Sequence, residues 1–164
     1  IDDPKFVSVN AASEWIAARE PVILLAVGDE VRAYPLQIMT YHEIVNDVVG
    51  GEPVAVTFCP LCYSALAFRR TVNDSALEFG VSGLLRHSDL IMYDRQTESL
   101  WQQIGGEAIV GDLNGTFLEE MPAQLVSFGQ FADRFPDDGL PISRHIASPL
   151  HQARLPNIVK PVIT

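Results

Sequence analysis

Residues 22–34 read VILLAVGDEVRAY, two apolar runs separated by Gly28-Asp29. Glycine followed by aspartate is typical of a tight turn between two antiparallel strands. The stretch therefore predicts a β-hairpin with strands over residues 22–27 and 31–34.

Short apolar runs separated by turn residues continue along most of the chain. They predict further strands over residues 54–58, 65–72, 76–79, 90–93, 100–103 and 108–110. Turn signals stand at Asn73-Asp74, Gly105-Gly106 and Asn114-Gly115, and the last is the strongest because both residues accept positive φ. So many turns favour an α+β fold that is predominantly β, with a mixed or antiparallel sheet or a barrel-like core, over a doubly wound α/β fold.

Two or three short helices are expected beside the strands. Ser8 is a suitable N-cap for a helix over residues 9–18, and Pro35 suits the first turn of a helix that continues to about residue 45. Ser127 caps a third helix over residues 128–135, whose phenylalanines form one apolar stripe that favours core packing.

The chain is expected to contain one globular domain followed by an extended arm. Residues 1–136 carry the strand and helix patterns, whereas residues 137–164 contain Pro141, Pro149, Pro156 and Pro161 without a fold pattern of their own. The arm is predicted to wrap the domain, or to contact a partner protein or a second copy of the chain.

Charge and hydropathy exclude several function classes. The chain has 164 residues and a net charge of -10, so its surface repels the phosphates of nucleic acids and anionic lipids. It contains no apolar run near the roughly 18 to 20 residues that a membrane-spanning helix needs. We therefore expect no nucleic-acid partner and no membrane span.

The motif with the clearest chemistry is CPLC, residues 59–62, at the end of the predicted strand 54–58. A Cys-x-x-Cys pair can cycle through a disulfide or bind a soft metal ion. It closes too small a loop to be a strong cross-link. It also supplies only two of the four ligands of a closed zinc site.

His42 is the predicted third member of the site. On a helix over residues 35–45, it shares a face with Ile38, Met39 and Val45, so its imidazole points to the core. The alternative is a buried histidine bonded to a backbone carbonyl.

Other residues offer weaker candidates for a fourth ligand or a supporting role. His87 lies in a polar break and favours a surface position, and Met92 alternates with Leu90 as core residues do, yet either could bind the metal. The nearest carboxylates are Glu43, Asp89, Asp94 and Glu98. Asp94 is expected to bond the backbone two residues on in a turn, or to orient a metal ligand.

Several stretches together resemble one uncharacterised family of bacterial and archaeal proteins, the domain of unknown function 3179. They read AYP (33–35), HEIVND (42–47), TFCPLC (57–62), FGVSG (79–83) and DLIMYDRQTESLW (89–101), and the resemblance covers roughly residues 3–136. It implies no activity, but members often carry an export or lipoprotein segment, so a periplasmic or extracellular location is expected. Position 87 is most often asparagine in this family, which argues against His87 as a shared ligand.

Three functions remain open on the sequence alone. The first is a metal centre in which Cys59, Cys62 and His42 bind copper, or zinc if a fourth ligand joins. The second is a thiol-disulfide oxidoreductase in which Cys59 attacks and Cys62 resolves, helped by a helix after the motif. The third is a non-catalytic interaction module with a local disulfide. The expected ligand is a metal ion or a small molecule, and whether the protein is an enzyme stays open.

Overall fold

The computed structural model describes residues 1–136 and 144–147, which form mainly short β-strands. The strands are β1 (Phe6–Val7), β2 (Pro21–Val27), β3 (Glu30–Pro35), β4 (Ile44–Val49), β5 (Glu52–Cys59), β6 (Ser64–Arg69), β7 (Thr71–Val72), β8 (Ser75–Ala76), β9 (Phe79–Arg86), β10 (Asp89–Asp94), β11 (Leu100–Gln102), β12 (Glu107–Val110), β13 (Glu119–Met121), β14 (Ala123–Ser127) and β15 (Arg144–Ala147). The helices are α1 (Val9–Ala12), α2 (Leu36–His42) and α3 (Phe128–Arg134). The predicted α+β class with a predominance of β structure is confirmed.

Within the described residues the strands form three larger sheets and one small ribbon, β7–β8. The first sheet has the order β1-β15-β3-β2-β14, the second β13-β6-β5-β4, and the third β12-β11-β10-β9. All pairs are antiparallel except β15 with β3, so the first sheet is mixed. The predicted hairpin at Gly28-Asp29 is confirmed, since Val27 pairs with Glu30 across that turn.

The second sheet, β13-β6-β5-β4, contributes buried residues to two separate core clusters. Along β5, Val54, Val56 and Phe58 belong to a cluster with side chains of the first sheet and α2. The alternate residues Ala55 and Cys59 belong to a second cluster with side chains of the third sheet. Because side chains alternate along a strand, β5 directs Cys59 towards the third sheet.

The helices differ from the sequence prediction at their ends. Helix α1 spans four residues instead of ten, although Ser8 caps it as expected. Helix α2 ends at His42 because Glu43 adopts a positive φ of 60°, and Ile44 begins β4. The prediction of helix to residue 45 is therefore wrong. Ile44 and Val45 are β-branched and pair with β5, and β-branched residues favour strands.

Helix α3 agrees with the sequence prediction. Ser127 caps it and forms a reciprocal capping box with Gln130. Phe128 and Phe131 are buried in a third cluster with residues of α1, β2 and β3, so the phenylalanine stripe packs in the core.

Two further differences concern β-structure. Strand β9 was not predicted, because Gly80, Ser82 and Gly83 interrupt its apolar pattern. The Asn114-Gly115 signal marks a turn, but it leads from β12 to a single bridge at Phe117 instead of a second strand.

The predicted arm lies outside the described residues except for β15. There, four residues pair with β1 on one side and with β3 on the other. None of the helices in the described part of the chain is long and apolar enough to cross a membrane.

Candidate metal centre

The two cysteines lie in the hairpin that joins β5 to β6. Cys59 is the last residue of β5 and pairs with Ser64, so residues 60–63 form the connection. Tyr63 completes the turn with a positive φ of 53°. The motif is therefore a hairpin loop followed by a strand, and the helix expected by the oxidoreductase alternative is absent from this position.

The two thiols have different surroundings. Cys59 is 1% exposed and packs in the core cluster shared with the third sheet. Its Sγ atom lies 3.7 Å from the carbonyl oxygen of Ser88. Cys62 is exposed at the loop, and both cysteines are free thiols in the structure.

A second hairpin, between β9 and β10, faces this loop. Its two-residue turn is His87-Ser88, and both residues have positive φ, 54° and 66°, as a type I′ turn requires. Asp89 follows directly and is 3% exposed. Its Oδ2 atom accepts a hydrogen bond from the Ile104 amide at 3.0 Å, and its Oδ1 atom accepts one from the Cys62 thiol at 3.5 Å.

Cys59, Cys62 and Asp89 form a cluster of potential metal ligands. One ligand atom from each lies within 4.8 Å of the other two. Two sulfur ligands of a tetrahedral zinc ion are about 3.8 Å apart, a separation that lies within the 4.8 Å limit of this cluster.

The surroundings of Cys62 favour its protonated form. Desolvation raises the pKa of this thiol above its usual range, and hydrogen bonds with Cys59 and Asp89 act in the same direction. Although the residue is exposed, its sulfur contacts the carboxylate of the buried Asp89. A metal ion must therefore displace a proton from Cys62 to bind it.

Residues 1–141 match the family model described as a protein of unknown function, DUF3179. The chain belongs to this family. No curated protein and no solved structure matches it. Membership confirms the resemblance seen in the sequence, and the DUF3179 description names no activity.

In this DUF3179 domain, His42 is the last residue of α2 and is half-buried. The neighbouring Glu43 carbonyl accepts the amide of Phe58 at 2.8 Å, so the chain at 42–43 runs beside the end of β5. Among the residues that the structure describes, the clustered ligand set contains Asp89 and not His42. The role of His42 as a ligand stays a prediction.

The other candidates occupy three different environments. Met92 is fully buried in the core cluster that contains Cys59. His87 is exposed in the turn of the β9–β10 hairpin. Asp94 is buried and accepts hydrogen bonds from the amide and hydroxyl of Thr97 and from the Trp101 indole. The sequence predicted a hydrogen bond from Asp94 to the backbone two residues on. In the structure this bond is made by the amide of Thr97, three residues on.

Asp89 was named from sequence only as a nearby carboxylate. One local signal does point to it, because it begins a buried strand directly after a polar turn. Its approach to the cysteines depends on docking of two hairpins from different sheets, which no local pattern specifies.

A cavity of about 340 Å³ lies beside Cys59. Its lining is mainly apolar and includes Pro60, Leu61, Leu84 and Leu85. The cavity also borders Thr40 and Glu43, so polar side chains share its wall with the apolar ones.

Proposed function

We propose that this domain binds one transition-metal ion through the thiolates of Cys59 and Cys62 and the carboxylate of Asp89. The observation that carries the proposal is the convergence of these three donors from two hairpins, within 4.8 Å of one another. Thiolate pairs select soft or borderline metals, so calcium and magnesium are poor candidates.

The donor set helps to choose between copper and zinc. Copper is the first prediction from sequence, and Cu(I) is satisfied by soft thiolates without an oxygen ligand. Zinc binds cysteine sulfur and aspartate oxygen together. Asp89 therefore favours Zn(II) as the ion that uses the whole cluster, and Cu(I) as an ion that uses the two thiolates.

Three protein ligands leave one tetrahedral position for water or another ligand. Closed structural zinc sites have four protein ligands, whereas catalytic sites keep a position open. The exposure of Cys62 and the cavity beside Cys59 support an exchangeable ligand at this position. We infer an exchangeable or reactive ion, in a periplasmic or extracellular protein as the family resemblance implies.

The thiol-disulfide alternative has less support. A strand follows the motif, so the helix that would activate Cys59 as a nucleophile is absent from this position. The raised pKa of Cys62 also disfavours a thiolate there. Both cysteines are free, which does not favour the local-disulfide alternative.

Metal analysis and titration test the proposal. Protein purified without a tag or chelator, and kept reduced, is titrated with Zn(II) and Cu(I) against competing chelators. We expect one ion per chain and loss of zinc binding in Cys59→Ser, Cys62→Ser and Asp89→Asn. Asp74→Asn, an exposed carboxylate in the β7–β8 turn, is the matched control.

The same titration shows whether Asp89 or His42 is the third ligand, and whether each ion uses it. Asp89→Asn is expected to weaken Zn(II) binding much more than Cu(I) binding. If His42→Gln abolishes binding and Asp89→Asn does not, the third ligand is His42. A reduced protein that binds neither ion at one equivalent contradicts the proposed function.

A further inference from the structure

We propose that Gln103 is a positioning residue that holds Cys62 in the geometry needed for metal binding. This inference rests on the proposed function. It concerns a buried side chain whose hydrogen bonds reach the loop of Cys62 through Ser64.

Cys62 needs such support because the core does not hold it. Packing fixes Cys59, which is 1% exposed. Cys62 is exposed, and its Sγ atom lies 3.1 Å from the Ser64 hydroxyl and 3.5 Å from Asp89. Ser64 donates its only proton to Gln103, so its oxygen can only accept from the Cys62 thiol, and this contact is lost when Cys62 binds a metal as a thiolate. The orientation of Cys62 in the metal-bound protein therefore depends on the course of the loop, which Ser64 anchors.

Ser64 is in turn held by Gln103. Its hydroxyl donates to the Oε1 atom of Gln103 at 2.7 Å. The Gln103 side chain is fully buried, so this hydrogen bond ties the loop that carries Cys62 to a fixed point in the interior.

Neighbouring acceptors determine how the Gln103 amide is oriented. Its Nε2 atom donates to the Thr57 hydroxyl at 2.9 Å and to the Ser64 carbonyl at 3.4 Å. The Thr57 hydroxyl donates its own proton to the Leu66 carbonyl at 3.0 Å and can only accept from Gln103. The amide oxygen must therefore face the Ser64 hydroxyl, and a flipped amide would lose these hydrogen bonds.

The backbone around Gln103 connects the same point to the second hairpin. Its amide donates to the Leu90 carbonyl at 3.0 Å. The next amide, that of Ile104, donates to the Asp89 carboxylate at 3.0 Å. Gln103 is thus bonded by its side chain to the hairpin with Cys62 and by its backbone to the strand with Asp89, and it sets the separation of the two ligands.

A double-mutant cycle tests this role. Zn(II) affinity is measured for Gln103→Leu, Ser64→Ala, the double variant, and Gln102→Leu as the matched control on the neighbouring residue. Loss of a group that orients a metal ligand typically costs about 10–100-fold in affinity. We expect such a loss in each single variant, no further loss in the double variant, and nearly unchanged affinity in the control.

Co(II) in place of zinc gives a readout that a purely structural role would not move. The intensity of the sulfur-to-cobalt charge-transfer band reports how many thiolates bind. We expect Gln103→Leu and Ser64→Ala to lose the part of the band intensity that comes from Cys62, while far-UV circular dichroism shows that both variants are folded. If Gln103→Leu does not fold, Ser64→Ala decides, because it breaks the same connection next to Cys62.

The outcomes separate this inference from the proposed function. Folded single variants with wild-type affinity and a two-thiolate spectrum overturn the role of Gln103 and leave the metal site intact. Additive losses in the double variant also overturn it, because the two residues would then act independently. A wild-type protein that binds no metal overturns both.

Discussion

The Cys62 thiol lies 3.5 Å from the Asp89 carboxylate, although the two residues are 27 positions apart in the chain. Each belongs to a hairpin of a different sheet. The contact places a soft donor and a hard donor side by side, and zinc binds both kinds.

Replacement of Asp89 is expected to separate metal binding from folding. Asn at position 89 keeps an oxygen that can accept the Ile104 amide, so the metal-free protein should unfold at nearly the wild-type urea concentration while zinc affinity falls. Ala removes this acceptor and should cost about 1–3 kcal/mol of unfolding free energy. Calorimetric titration and urea unfolding of both variants check the expectation. Wild-type zinc affinity in Asp89→Asn would contradict it.

Metal affinity should rise with pH. The pKa of Cys62 is raised mainly by desolvation, with added effects of Cys59 and Asp89, so the metal must displace its proton at neutral pH. Zinc affinity should increase by up to about tenfold per pH unit for each thiol that loses a proton, until the pH passes the pKa of that thiol. Competition titrations between about pH 6 and about pH 8 measure this slope. A flat profile would show that Cys62 is not a ligand.

The same shift predicts how stability depends on pH in the metal-free protein. A raised thiol pKa means that the folded state holds the proton more tightly than the unfolded state. The contribution of Cys62 to the free energy of unfolding is complete below the ordinary cysteine pKa. It is lost as the pH rises through the raised pKa of the folded state. Cys62→Ser should therefore reduce the alkaline loss of stability, as measured by urea unfolding at several pH values. An unchanged profile in that variant would rule out this linkage.

Trp101→Phe should destabilise the fold without affecting the metal site. The indole donates to the buried Asp94 carboxylate at 2.9 Å, and phenylalanine cannot replace this bond. We expect a loss of about 1–3 kcal/mol in unfolding free energy with unchanged zinc affinity. Trp15→Phe at a half-buried position is the control for lost aromatic area. If Trp101→Phe weakens zinc binding in a folded protein, Asp94 does orient the site, as the sequence alternative allowed.

The β4–β5 turn offers a matched pair of glycine substitutions. Gly50 and Gly51 have φ values of 57° and 81°, so alanine is strained at both positions, at a cost of about 1–2 kcal/mol. A Cβ atom at Gly50 would also lie 2.5 Å from the carbonyl oxygen of Val27, whereas Gly51 faces open space. Gly50→Ala should therefore lower the urea midpoint clearly more than Gly51→Ala. Equal midpoints would mean that the turn shifts away from Val27.

Local features explain which parts of the fold could be predicted from sequence. Gly28-Asp29 and Asn73-Asp74 specify tight turns by residue type, and the structure has positive φ at Gly28, Asn73 and Asp74. The cap of α3 is likewise a local pattern at Ser127.

Non-local contacts explain the rest. The end of α2 depends on pairing of Ile44 with Thr57 across two strands, which helix propensity does not report. Only part of the candidate site could be predicted from sequence. Cys59 and Cys62 form a motif, but Asp89 reaches them only through the docking of separate hairpins.

The alternation along β5 also restricts how this family can vary in length. Inserting or deleting one residue between Val54 and Cys59 would turn the cysteine towards the first sheet and away from Asp89. A change of two residues would leave Cys59 on the side of β5 that faces the third sheet. Natural variants of the strand should therefore differ in length by even numbers or not at all.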